Sequence, residues 1–226
     1  MIFYTCVSNI YRELIPLYKF CVKRVYPEAE VLIDKEAYHP SCKRFLKEVK
    51  GDYVHVTDAD ILILPHEKTH QEYYTQFEAH GASYLRGATE GGGKEWIGDV
   101  ARVAGGHVGF TPEYYSRTSV ARAEYLGGAI EDYREFDEVM LARILKKSGY
   151  VLPEKPYTFP NGAPWDWEYR DLHLHDFASM KFMKWQPDRE KVKELITDPD
   201  FRAIAADLSP YWRNLIHTVQ EYCLQG

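Results

Sequence analysis

The chain predicts an α/β fold in which helices cover a sheet. Three observations carry that prediction. Strand-like and helix-like segments alternate as β-α-β-α-β over the first 64 residues, the signature of parallel strands joined through helices. The strand segments are continuous apolar runs, as strands buried on both faces require. The first helical segment and the one over residues 129–149 each carry one apolar stripe. The 226 residues are 45% hydrophobic, enough for a full-sized core in one large domain.

"MIFYTCVS" reads as an N-terminal strand, and Ser8 or Asn9 as a cap for the first helix. "YRELIPLYKFCVKRVYP" has helical spacing, with Leu14, Leu17, Cys21, Val22 and Val25 near one face and Pro27 as its stop. "AEVLIDK" is a second strand, and "SCKRFLKEVK" a second helix closed by Gly51. "YVHVTDADILIL" reads as a third, buried strand ended by Pro65. "EKTHQEYYTQFEAHG" suggests a polar helix, "ASYLRGAT" a strand and "EGGGKEWIGD" a glycine-rich loop. "VARVAGGHVGF" is a strand broken by glycines, with a helix start after it at Thr111-Pro112. "AIEDYREFDEVMLARILKKSG" is an amphipathic helix with Gly149 at its end. A long Pro- and Trp-rich loop leads to "LHLHDF", a candidate last strand. From about Asp188 the chain is helical, punctuated by Pro199 and Pro210. No repeat or low-complexity linker divides it, so a single domain, 1–226, is expected.

Composition narrows the function. Net charge is −6, which argues against a nucleic-acid partner, since that needs a cationic surface. The four cysteines form no C-x-x-C pair, so a cysteine-based zinc site is not expected. Cys6 and Cys21 sit in apolar runs, as reduced core residues of an intracellular protein would. No signal-peptide pattern and no 18-residue apolar window occur, so a cytoplasmic chain without a membrane span is expected. The 18 Tyr and 5 Trp suit a ring-lined cleft.

The chemistry concentrates at Asp58 and Asp60, two carboxylates inside an apolar run. On an extended strand they share one face. Carboxylates that close repel unless a cation stands beside them, and a hard ion such as Mn²⁺ or Mg²⁺, which also binds phosphates, suits them. A strand that ends at Asp58 and turns, leaving Asp60 exposed, is the plainer alternative. His173 and His175 face one side of a strand, and either imidazole could add a ligand. His107 stands among glycines, where it could touch a sugar or simply be a hydrogen-bonded interior residue. Asp137 and Glu138 start a helix, which suits the helix dipole as well as a role in a cleft. Tyr11 could stack on a base or pack against the fold. Trp165 and Trp167 could face an acceptor sugar or anchor their loop.

Taken in order, these segments resemble the GT-A glycosyltransferases, in particular the glycogenin and galactosyltransferase group called family 8. "YVHVTDADILIL" resembles the D-x-D strand. "CKRFL" resembles the preceding helix, with Arg44 at the donor-contacting arginine. "AGGHVGF" resembles the donor-sugar segment, and "FDEVMLARIL" the acidic helix start after it. "HLHDFASMKFMKW" resembles the terminal histidine segment, with His175 and Lys181 at the metal-ligand and diphosphate-lysine spacing. Size and layout also resemble a small glycosyltransferase domain of chlorella viruses. Ala178 stands where the family has glycine, and Phe182-Met183 where it has Pro-Trp.

The resemblance implies a GT-A domain: a Rossmann-like mixed sheet flanked by helices, with a helical C-terminal tail. Residues 1–100 would be the nucleotide-binding half, 101–187 the donor-sugar and acceptor half, and 188–226 the tail. It implies transfer of a sugar from a UDP-sugar donor to a glycan or other hydroxyl acceptor, with retention. Asp58, Asp60 and His175 would hold Mn²⁺ or Mg²⁺. Thr5, Val7, Tyr11, Arg44, Asp58, Ala59, Gly105, Gly106, His107 and Lys181 would meet the donor, and Asp137 or Glu138 the anomeric centre. Rival readings are a sugar nucleotidyltransferase or other metal-dependent phosphoryl enzyme, and a nucleotide-sugar-binding protein without turnover.

Overall fold

The computed structural model describes residues 1–35, 44–67, 69–70, 107–127, 137–149, 171–174 and 188–224. They form a mixed α/β structure. The chain sorts into two compact units, each assembled from separated stretches. The first contains the described parts of Met1–Ser8, Leu32–Asp58 and Gln71–Trp165. The second contains those of Asn9–Val31, Ala59–His70 and Asp166–Gly226.

The described strands of the first unit are β1 (Ile2–Val7), β2 (Glu30–Lys35) from Leu32 onward, β3 (Val54–Thr57) and, later in the chain, β5 (His107–Phe110). They form one sheet in the order β2-β1-β3-β5. β1 and β3 are parallel, with Ile2 opposite Val54 and Tyr4 opposite Val56. β5 runs antiparallel to β3, with Val54 opposite Phe110 and Thr57 opposite His107. The sheet is therefore mixed. Sheets that combine parallel and antiparallel pairs are common.

β5 leads directly into α2 (Pro112–Arg117). The expected start at Thr111-Pro112 is present: the Thr111 hydroxyl accepts from the Tyr114 N–H, and proline comes next, where no N–H is needed. Tyr114 stacks flat on Phe110, ring centroids 3.7 Å apart, which seats this helix on the sheet. α3 (Ser119–Gly127) and α4 (Asp137–Lys147) come after it. Arg122, buried among them, donates to the carbonyls of Leu46 and Tyr115. Gly149 takes φ of 76° just past α4, the left-handed conformation that favours glycine at a helix end.

The second helix expected from "SCKRFLKEVK" ends early. Helical backbone reaches Leu46, and residues 47–50 leave it, so Gly51 is not its cap.

The second unit is mostly helical. The segment expected as one helix from Tyr11 divides: Asn9–Leu14 is a 3₁₀ turn and α1 spans Ile15–Val25. Pro16 explains the division, because it has no N–H to carry an α-helical ladder back to Arg12. α1 buries Leu17, Tyr18, Cys21 and Val22 and ends at Tyr26, just before Pro27. A two-stranded antiparallel sheet pairs β4 (Ile61–Leu62) with β6 (Leu172–His173). α5 (Arg189–Thr197), α6 (Pro199–Ala206) and α7 (Pro210–Leu224) complete the unit. Asp188 and Asp198 cap α5 and α6, each accepting two backbone N–H groups, an arrangement worth about 1 kcal/mol per cap.

These elements share one core. Leu62, Leu64, Leu172 and Leu174 meet Leu195, Phe201, Trp212 and Val219 there. Trp212 is fully buried, and its indole N–H donates to the Ile10 carbonyl at 2.9 Å. No helix among the described residues is long and apolar enough to cross a membrane.

Candidate functional site

The strand carrying the aspartates does not run on as one piece. β3 stops at Thr57, residues 59–60 form a turn, and Ile61–Leu62 pairs in the other sheet. This corrects the extended strand on which period-two spacing gave both carboxylates one face. Its plainer alternative also fails in part: the strand turns, yet Asp60 is only 2% exposed. The flanking apolar residues account for that burial, since Ala59, Ile61, Leu62 and Ile63 are all buried.

In the first unit, Asp58 comes directly after an interior strand. Because β1 and β3 are parallel, the end of β1 at Val7 and the end of β3 at Thr57 lie on the same sheet edge. Ligands of open α/β sheets collect at that carboxyl edge. Arg44 Nη1 donates to Asp58 Oδ1, and the guanidinium also lies 4.7 Å from the centre of the Phe45 ring. The Arg44 side chain is 1% exposed and that of Asp58 25%. Arg44 therefore sits beside the first aspartate of the motif as a buried cation with a carboxylate partner.

Thr5 and Val7 turn their side chains into the core, so only their backbone groups could meet a ligand. His107 is also fully buried. Its Nε2 lies 3.1 Å from His55 Nδ1, and the His55 ring stacks on Phe3 at 4.6 Å. This geometry is that of the interior-residue reading of His107, not of a sugar contact. At the other side of β1, the Tyr4 hydroxyl donates to Asp34 Oδ2 at 2.9 Å, and Lys47 Nζ donates to the same oxygen at 2.5 Å. Burial pulls the Asp34 carboxyl up, but the Lys47 and Tyr4 hydrogen bonds outweigh it and hold the group below its ordinary value. Burial, then the Asp34 hydrogen bond, raises the Tyr4 phenol far above the ordinary range.

In the second unit, β6 runs beside the turn that carries Asp60. Ile61 is the register partner of His173, and the Leu174 N–H donates to the Asp60 carbonyl at 3.0 Å. His173 Nε2 then stands 3.4 Å from Asp60 Oδ2. His173, weighed in the sequence as the lesser of two histidines, is thus the one seen beside Asp60; His175 lies outside the described residues. Tyr11 belongs to this unit and packs edge-on against Trp212, ring centroids 5.2 Å apart, where its partner is the helical core.

A second polar cluster in this unit was not singled out in the sequence. Asp171, just before β6, accepts the Leu64 N–H at 2.9 Å through Oδ1. His70 Nε2 lies 3.0 and 3.1 Å from the two Asp171 oxygens, and His66 Nε2 lies 3.4 Å from Oδ1. Tyr26, at the end of α1, accepts the His70 backbone N–H at 2.9 Å, and its hydroxyl lies 2.6 Å from His70 Nδ1. The sequence holds one signal for it, two histidines four residues apart after an apolar run. Asp171, more than a hundred residues further on, is joined to them only by folding.

Several expected site residues lie outside the described residues: Gly105, Gly106, His175 and Lys181, with Trp165 and Trp167. Asp137 and Glu138 are the first described residues of a helix, and their side chains are not among those described. A surface concavity lined by Glu124, Tyr125, Arg143, Lys146 and Lys147 contains none of the residues singled out above. Comparison with protein-family models, with curated proteins and with solved structures finds no match for this chain.

Proposed function

We propose that the protein is a metal-dependent glycosyltransferase that moves a sugar from a nucleotide-diphosphate donor, a UDP-sugar, to an acceptor hydroxyl. The observation that carries this reading is the placement of Asp58-Ala59-Asp60. The motif leaves the carboxyl end of an interior strand, its second aspartate is buried, and an imidazole stands beside that aspartate. With only Ala59 between them, covalent geometry keeps the two aspartate Cα atoms within about 7 Å. Two carboxylates and an imidazole form a donor set that suits Mn²⁺ and, less well, Mg²⁺.

In this reading Asp58 and Asp60 bind the ion, and His173 or His175 completes the set. The chemistry expected of the bound ion is neutralisation of the departing diphosphate. Arg44 lends its positive charge to the same diphosphate, and Lys181 joins it. Asp137 or Glu138 faces the anomeric centre, where a carboxylate steadies oxocarbenium-like charge. Retention of configuration rests on the resemblance to family 8 alone.

Titration calorimetry with UDP, with and without Mn²⁺, tests the proposal. Asp60→Asn should weaken the Mn²⁺-dependent part of UDP binding by at least about tenfold, a loss already typical of removing a group that only orients a metal ligand. Equal affinity in the variant would remove the metal role. Mn²⁺-dependent hydrolysis of a UDP-sugar supports the transferase. Pyrophosphate-dependent cleavage of the nucleotide sugar to nucleoside triphosphate and sugar 1-phosphate would indicate a nucleotidyltransferase, and UDP binding without turnover of any sugar nucleotide a binding protein. A crystal soaked in Mn²⁺ and UDP in which Asp58 keeps Arg44 and no ion stands at Asp60 would overturn the reading.

A further inference from the structure

We infer that His66, His70 and Asp171 form a site for a divalent transition-metal ion of the Zn²⁺ type, within the second unit and separate from the Asp58-x-Asp60 motif. His66 Nε2, His70 Nε2 and an Asp171 oxygen are its ligands. All three ligand atoms lie within 4.8 Å of one another. With metal–ligand bonds of about 2.0–2.2 Å, donor atoms around one ion stand about 3.0–3.5 Å apart. The two imidazole-to-carboxylate separations, 3.0 and 3.4 Å, already have that length.

The groups around His70 and Asp171 are arranged as a metal site requires. A ligating histidine is held by a partner on its other nitrogen, which sets both tautomer and ring direction. Tyr26 is that partner for His70 at 2.6 Å. A hydroxyl oxygen can accept two donors, so the Tyr26 oxygen can take the His70 backbone N–H and an Nδ1–H together. That tautomer aims the Nε2 lone pair at the Asp171 carboxylate, and two acceptors facing at 3.0 Å need a positive centre between them. The Leu64 N–H fixes the carboxylate from the other side. The opposite tautomer, with the Tyr26 hydroxyl donating to Nδ1 and Nε2–H donating to Asp171, would be a hydrogen-bond network without an ion. The two predict different metal binding.

Two imidazoles and one carboxylate select Zn²⁺, Co²⁺ or Fe²⁺ over Mg²⁺, which prefers oxygen donors. The three side chains are only 1–2% exposed, which suits an ion that fastens structure. It would tie the segment after β4 and the residue before β6 to each other, with the end of α1 held to them through Tyr26. Binding to the folded chain alone would raise its stability.

The test uses the whole chain, stripped with chelator and titrated first with Co²⁺, then with Zn²⁺. We expect a visible Co²⁺ d–d absorption that saturates at one ion per chain in Asp60→Asn and is displaced by Zn²⁺. His66→Ala and Asp171→Asn should weaken that binding at least tenfold, and Zn²⁺ should raise the melting temperature of the native chain but not of His66→Ala. Absence of the band, or an unchanged titration in His66→Ala, would overturn the site. If these variants do not fold, X-ray absorption of the Zn²⁺-loaded native chain decides: scattering from two imidazoles supports the site, and its absence refutes it. Because Asp60→Asn retains this site, its outcome is separable from that of the sugar-transfer proposal.

Discussion

Gly109→Ala tests the packing behind the strand that delivers Asp58. Gly109 lies opposite His55 in the β3–β5 ladder. A Cβ placed there would stand 2.0 Å from the Tyr53 hydroxyl oxygen, 2.5 Å from Cζ and 2.7 Å from Cε1. Ordinary carbon contacts are about 3.5–4.0 Å, so the ring would have to move by roughly an ångström or more. Tyr53 is buried and cannot swing into water. Its ring lies 4.9 Å from that of His55, which is stacked on Phe3, so displacement would be passed along the row. Overpacking of this kind costs about 1–3 kcal/mol, and three contacts this short place it at about 3. Alanine returns about 0.4–1 kcal/mol by restricting the unfolded chain. The net expectation is a loss of about 2 kcal/mol, or roughly 4–8 °C in melting temperature for a chain this size. Urea unfolding monitored by far-UV circular dichroism measures it. Tyr53→Leu in the same chain should recover at least about 1 kcal/mol of the Gly109→Ala loss, because the clashing atoms are gone. If Gly109→Ala unfolds at the native midpoint or above it, the Tyr53 ring does not cover this glycine and the reasoning fails.

Two further perturbations probe other parts of the chain. Trp212→Phe removes the indole donor to the Ile10 carbonyl and part of the ring packed between Tyr11 and Tyr211, and should cost about 2–3 kcal/mol in a urea titration; a change below about 0.5 kcal/mol would show that α7 is not anchored there. Asp34→Asn tests the lowered carboxyl beside Lys47 and Tyr4. A group whose folded pKa is depressed stabilises above its unfolded value and loses that contribution as pH falls through the folded value. The native chain should therefore exceed Asp34→Asn by a margin that is constant from neutral pH to about pH 5 and shrinks below about pH 4. Both partners are substantially exposed, so the margin is at most about 1 kcal/mol and falls with added salt. A margin that grows on acidification would reverse the assignment.

Local chemistry made several elements legible. The Thr111-Pro112 start, the Gly149 end and the proline-punctuated helices after Asp188 each rest on neighbours a few residues away, and sequence pattern reports such neighbours well. The break at Asp58 was legible only as an alternative that left Asp60 exposed, and the pairing that follows it was not legible. Ile61 to Leu64 continue an apolar run, and apolarity alone cannot reveal that Ile61 and Leu62 pair with residues near 172 instead of extending the first sheet. The direction of β5 was hidden for the same reason, since it depends on a long connection. Of the candidate site, the D-x-D motif and its burial were visible because charge inside an apolar run is unusual. The Arg44 partnership of Asp58 and the meeting of His70 with Asp171 were not, because each is a tertiary contact with no periodic trace.

The interleaving of the two units has a practical consequence. The chain passes from one to the other after Ser8, after Val31 and again after Asp58, between the first aspartate of the motif and the alanine next to it. A cut after Trp165 leaves the first unit whole and a cut before Asn9 leaves the second whole, yet each such fragment keeps stretches of the other unit, so deletion mapping would not isolate either one. Locating activity in this protein calls for point substitutions in the complete polypeptide.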